Sequence, residues 1–344
     1  MRAVSVQRKD EMTNKSARKT PSKSAKPASP ASRLTTEQTM RNISRVLEGK
    51  EFADDAEMNA FLATLIGPGL QKVLRQTKSP TAREEAQELA YDAMEAQTEA
   101  QARKLAKRAL AKDPDCVDAL VALTGLEANS PKHAIEGLQK AVSAGERSLG
   151  VAFFKENKGH FWGLVETRPY MRARQQLAAM CQEVGLHRDA MSHYEAMLKL
   201  NPNDNQGVRE PLLGLYLLTG DCDGAAKLLK RYKRDISATF AWGRVLERFL
   251  AGDRDGAAVS LKAARKCNRF MELYISAQQP FPKEMPEYYQ IGSAEEAILS
   301  FECLAEAWTT HPEAMFWLLN QILGEQPQKP PAMRGSYRKK KLIQ

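Results

Sequence analysis

The stretch YMRARQQLAAMCQEVGLHRDAMSHYEAMLKLNP, residues 170–202, decides the fold. Leu177, Ala178 and Cys181 recur at three-and-four spacing, which puts them on one helical face. Gly185 interrupts that run and suits a helix end, because glycine tolerates positive φ. A second amphipathic run carries Ala190, Tyr194, Met197 and Leu198, and Asn201-Pro202 ends it. The stretch therefore predicts two helices joined by a tight turn. One such hairpin cannot bury its apolar face alone, so about three or more neighbours must stack on it.

This hairpin resembles the tetratricopeptide repeat. The match lies at Leu177, Gly185, Ala190, Tyr194 and Pro202, while Arg174 stands where a large aromatic usually opens the first helix. Similar units lie on both sides. Residues 83–114 (Ala90, Tyr91, Ala102, Ala109, Leu110, Pro114) and 115–144 (Leu120, Leu123, Ala134, Leu138, Ala141) precede it. Tyr216, Gly220, Ala225, Leu229 and Tyr232 mark a fourth unit, and Trp242, Gly252, Ala257, Leu261 and Ala264 a fifth. Ala190, Ala225 and Ala257 are spaced 35 and 32 residues apart. Near-matches at that period predict an all-α chain, an α-solenoid of about five tetratricopeptide-like helical hairpins over 79–267.

The period fails between 145 and 169, where an insertion carries His160, Phe161 and Trp162. Upstream, residues 34–78 read as N-terminal capping helices: a capping box at Thr35…Gln38 and a cap at Asp55, with Gly67-Pro68-Gly69 breaking the second helix. A further box at Thr81…Glu84, a cap at Ser293…Glu296, and Ser130-Pro131 mark other helix starts. Residues 268–324 read as an extended segment over the last repeat followed by C-terminal capping helices, the last starting at Pro312.

The net charge is +9, but residues 34–324 carry −3. The excess sits in residues 1–33 (+7) and 325–344 (+5), the latter with the run Arg338-Lys339-Lys340-Lys341. Both ends are polar and poor in apolar residues, so they predict disordered basic tails. No apolar run approaches the ~20 residues of a membrane helix, and no signal-peptide core is visible. Five scattered cysteines without a CxxC pair suit reduced thiols in a cytoplasmic protein and exclude the usual zinc spacings.

From about 83 to 275 the chain also resembles the suppressor of tumorigenicity family and its bacterial relatives. The likeness rests on EAQARKLAKRALAKDPDCVDALVAL (99–123), SPKHAIEGLQKAVSAGER (130–147) and RARQQLAAMCQEVGLHRDAM (172–191). GHFWGLVETRPYMRAR and LNPNDNQG extend the likeness to the bacterial members. The resemblance implies a repeat protein largely without an assigned activity. In the tetratricopeptide class the first helix of each hairpin lines a concave surface. Carried over residue by residue, the groove-facing positions fall on Arg172, Gln175, Ala179 and Gln182, and on Trp242, Leu246 and Phe249.

The expected function is a protein–protein interaction scaffold holding a peptide or protein segment in that groove. Partner-binding residues are then Arg172, Gln175, Gln182, His160, Trp162, Trp242 and Phe249, and Arg suits a bidentate carboxylate contact. Phe161-Trp162 reads first as a plug where the repeat breaks, and Trp242 first as packing, with partner binding the alternative for both. A nucleic-acid-associated adaptor using the basic tails is the alternative. No catalytic motif, cofactor fingerprint or metal site is found, so neither an enzyme nor a cofactor is expected; His160 and Glu166 are the one His–Glu combination able to move protons. His187 and His193, six apart, do not share a helical face well, and LNPNDNQGVRE (200–210) reads as an inter-repeat turn.

Overall fold

A computed structural model describes residues 31–66, 69–75 and 79–324. Among the described residues the chain is all-helical, with no strand. The expected basic tails, with the run at 338–341, lie outside these residues except at 31–33, as does the break at Gly67-Pro68.

The helices in chain order are α1 (Ala31–Leu47), α2 (Asp55–Thr64), α3 (Gly69–Leu74), α4 (Ala82–Met94), α5 (Glu99–Lys112), α6 (Val117–Glu127), α7 (Pro131–Leu149) and α8 (Val151–Glu156). Two 3-10 turns, Phe161–Gly163 and Val165–Thr167, lead into α9 (Arg168–Glu183) and α10 (His187–Leu200). Then come α11 (Arg209–Leu218), α12 (Cys222–Arg231), α13 (Ala238–Leu250), α14 (Arg254–Cys267), α15 (Met271–Ile275), α16 (Ala294–Thr310) and α17 (Pro312–Gly324). Helix pairs fall at the five places the periodicity marks: α4–α5, α6–α7, α9–α10, α11–α12 and α13–α14.

The turn inside three successive pairs is one motif. At the end of α9, Leu186 N–H donates to Cys181 O at 2.8 Å and Gly185 N–H to Gln182 O at 3.0 Å, with Gly185 at φ 78°. This is the crossed bonding of a Schellman end, and it needs a left-handed residue. The same bonds recur around Gly220 (φ 71°) and Gly252 (φ 82°). Two residues beyond each glycine the second helix starts. Its fourth position holds Ala190, Ala225 or Ala257, each with no exposed surface. A small side chain there lets the two helix axes approach. Ala102 and Ala134, the matching positions in the first two pairs, are half-buried.

Adjacent elements then pack in order. First helices touch along the chain, α4 on α6, α6 on α9 and α11 on α13, and second helices sit against the next pair, α5 on α6, α7 on α9 and α10 on α11. The main core joins buried residues from Val117 in α6 to Leu318 in α17, and a smaller one joins α4, α5 and α6 through Ala86, Ala90, Ala106 and Ala119. A third, separate cluster of Val46, Leu65 and Leu70 belongs to α1–α3 alone.

Several boundaries differ from the sequence reading. Helix α1 already runs from Ala31, so Thr35 lies within it and not at its start. Asp54, not Asp55, caps α2 by accepting from Glu57 N–H at 2.8 Å. The box at Thr81 and the caps at Ser130 and Ser293 form as the sequence predicts. Helix α7 continues five residues into the expected insertion, because Val142, Ala144 and Gly145 still face the core. Phe161 fills the break: it is wholly buried, with ring centroids 4.9 Å from Phe154 and 6.2 Å from Tyr170. The loop before α11 is tied by Asp204, whose carboxylate accepts from Val208 N–H (2.9 Å) and Arg209 N–H (3.0 Å).

The flanking helices do not simply continue the series at its ends. Helix α16 packs on α11 and α13, the first helices of the fourth and fifth pairs, and α1 bonds to α4 and α9, the first helices of the first and third pairs. Among the described residues no helix is long and apolar enough to cross a membrane.

Candidate functional site

Five side chains from three first helices converge on one spot. Gln87 and Tyr91 lie one turn apart on α4, Asp118 sits in the first turn of α6, and Arg168 and Arg172 lie one turn apart at the start of α9. One-turn spacing places each pair on a single face. Asp118 is favoured where it is, since the exposed N–H groups of a helix start attract a carboxylate.

The Arg172 guanidinium is the hub. Its Nε and Nη2 donate to Asp118 at 3.2 and 2.6 Å, a bidentate grip. Gln87 Nε2 donates to the same carboxylate at 2.6 Å. The remaining face of the guanidinium meets Glu37 of α1, with Nη1 at 2.8 and 3.0 Å and Nη2 at 3.0 Å. Tyr91 adds its hydroxyl to Glu37 Oε1 at 2.7 Å, and Arg168 stands 3.6 Å away. Arg168 is itself positioned by Trp162: Nε donates to the Trp162 carbonyl at 3.3 Å and the guanidinium lies 5.4 Å from the ring centre.

Two cations thus face two carboxylates that are nearly dry, Asp118 at 2% exposure and Glu37 at 5%. Burial pushes the Glu37 carboxyl up, but the Arg172 bonds and charge, the Tyr91 hydroxyl and Arg168 outweigh it, and the group titrates below its ordinary value. Burial, with Glu37 beside it, pushes the Tyr91 phenol far up, so it stays a donor. For Arg172, burial is outweighed by the two carboxylates, which hold the guanidinium charged.

The rest of α1 adds polar contacts. Gln38 bonds Glu88, and Arg45 stands 3.8 Å from Glu84, both on α4. Arg41 lines a small cavity with Arg83, Gln87, Cys116 and Tyr170.

Of the residues singled out in the sequence, Arg172 is in the hub, although its partners are within the chain. Gln175 pairs with Gln206 (Gln206 Nε2 to Gln175 Oε1, 2.8 Å), and Gln182 accepts from Tyr194 at 3.4 Å; both are half-buried and Ala179 between them is exposed. Trp162 acts through Arg168. His160 is exposed and no bond joins it to Glu166, so the proton-moving pair does not assemble. Trp242 and Phe249 do not line an open surface. Trp242 has no exposed area and donates to Asn268 O at 3.0 Å, while Phe249 is buried under Trp317, 5.3 Å between ring centres. Leu246 is likewise fully buried. The cause is α16 and α17, which cover the α11–α13 face. Glu296 anchors α16 there, accepting from Ala238 N–H (3.0 Å), Asn268 Nδ2 (2.9 Å) and Gly292 N–H (2.6 Å).

His187 and His193 both lie on α10, and no cluster of His, Cys, Asp or Glu able to hold a metal occurs among the described residues. Burial pushes the Cys116 and Cys303 thiols up to about 12, the opposite of nucleophile activation. Sequence reasoning missed Glu37, Asp118, Gln87 and Tyr91 as a site. The one local signal is Asp118, a lone charge in the apolar run VDALVAL. No family model and no curated protein matches the chain.

Proposed function

We propose that the five helix pairs form a tetratricopeptide-like solenoid, and that the chain is a non-catalytic scaffold taking a helical segment of another protein along its first-helix face. One observation carries this reading: that face already receives a helix, α1, through a carboxylate gripped by Arg172. The recurrent Schellman turns and the first-helix contacts support the solenoid. The free length of face is the second half of α9, where Ala179 is exposed between Gln175 and Gln182. Side chains on rigid helices bind with little reorganisation, which favours segment recognition over chemistry.

A photo-crosslinking residue placed at Ala179 tests it. The expected result is a discrete crosslinked partner, whose yield falls about tenfold when Gln175→Ala and Gln182→Ala are combined, with helix content unchanged. Equal yield from both proteins would remove the face from consideration.

A further inference from the structure

Glu37 and Glu296 are two buried carboxylates, each delivering a flanking helix onto the first-helix face, and they are held in opposite ways. Glu296 is satisfied by two backbone N–H groups and Asn268. Its helix also buries Ala297, Leu304, Ala307 and Trp308 in the main core. Gly214 of α11 lies so close to the Cys303 carbonyl that no side chain fits between. Helix α16 is thus part of the fold. Helix α1 has none of these attachments. Its buried apolar residue, Val46, packs with α2 and α3; the helix meets α4 and α9 through hydrogen bonds and ion pairs, and it lies against the Val165–Thr167 turn.

We propose that α1 is a built-in, exchangeable occupant of the Arg172 site, displaced by a partner helix that presents the same polar pattern. The inference deepens the scaffold reading and rests on it. When α1 leaves, Arg168 and Arg172 face Asp118 alone, one cation in excess in a half-buried place. Such a site favours an incoming carboxylate over water. The pattern the partner must carry is written in α1: Glu37, then Arg41 and Arg45 at one-turn steps. The carboxylate meets Arg172 and Tyr91, and the base two turns on meets Glu84. The occupant is therefore a protein helix of the form Glu-x-x-x-Arg/Lys-x-x-x-Arg/Lys. Because α1 is tethered, its effective concentration is on the order of mM, and a partner must outcompete it.

The test uses the full chain and a fluorescent synthetic peptide of residues 31–50 as probe, read by anisotropy. In a Glu37→Arg chain the tethered helix is repelled by Arg168 and Arg172, while the Arg172–Asp118 pair stays intact. The peptide is expected to bind this chain at least tenfold more tightly than it binds the wild type, and a peptide carrying E37A is expected to bind neither. Glu37→Gln, which removes the charge without reversing it, should fall between the two. If Glu37→Arg misfolds by circular dichroism, hydrogen exchange on the wild type decides. Saturating peptide should then strip protection from α1 amides and leave those of α16 unchanged. Equal affinity for wild type and Glu37→Arg would overturn exchange at α1 while leaving the scaffold reading standing. Absence of binding to both chains at 1 mM peptide, a ceiling of the order of the tether's own effective concentration, would also overturn it. The Ala179 crosslink then judges the scaffold separately.

Discussion

Arg172 neutralises two carboxylates on different helices; without it Asp118 keeps only the Gln87 amide, and Glu37 only the Tyr91 hydroxyl and the more distant Arg168. Truncating the shared partner of such a group costs far more than the pair gains, because the stranded charges keep their desolvation penalty. Arg172→Ala is therefore expected to lower the unfolding free energy by about 3–5 kcal/mol, read from the urea midpoint at constant slope. Gln175→Ala, which breaks a bond between two half-buried amides, should cost about 1 kcal/mol. Equal costs would mean that the hub is solvated. The pH dependence has a definite sign. Glu37 titrates below its ordinary value in the folded chain, so its contribution is fully present above the unfolded carboxylate value and is lost as pH falls through the lower, folded one. Docking of α1, followed by fluorescence energy transfer between labels on α1 and α5, should be flat from about pH 5 to 8 and fail only below the ordinary glutamate value near 4.3. Release near pH 6 would assign the contact to another group.

Two kinds of glycine organise the helices, and they differ in how they show in the sequence. Gly185 must adopt positive φ to close the Schellman turn. Gly185→Ala is expected to cost about 1–2 kcal/mol and to lower the melting temperature without changing the fold. Gly214 has an ordinary φ; it is required because α16 crosses α11 there, with the Cys303 carbonyl where a Cβ would stand. Gly214→Ala should cost about 1–3 kcal/mol and loosen Trp308, visible as lost near-ultraviolet dichroism. An unchanged Trp308 signal would mean that α16 adjusts freely. The first glycine was legible at once, because turn chemistry is local and repeats at the period of the hairpin. The second was invisible, since its partner is 89 residues away and nothing near Gly214 announces it. The same separation explains the misplacement of Trp242 and Phe249. The repeat pattern assigns them to an inner surface, but a pattern within one hairpin cannot tell whether a later helix covers them. The same pattern singles out Arg172 but carries no sign of Glu37, its partner 135 residues away.

At the scale of the molecule, cores of unequal size imply unequal stability. The main cluster runs through α6–α17, whereas α1–α3 share three buried residues and five half-buried ones. Regions with few buried apolar contacts open at lower free energy than the global unfolding and exchange their amides through that opening. What holds α1 down is chiefly polar, the Glu37 contact with Gln38–Glu88 and Arg45–Glu84 beside it, and not a shared apolar core, so the N-terminal helices should open as a unit while the helix pairs stay closed. Hydrogen exchange on the full chain is expected to show protection in α1 and α2 at least tenfold below that in α9 and α13. Glu37→Arg should lower α1 protection further without altering α13, because the substitution touches no residue of the main core. If α1 and α9 instead shared one exchange free energy, and lost it together in the variant, the two parts would be a single cooperative body and a partner could not displace one without unfolding the other.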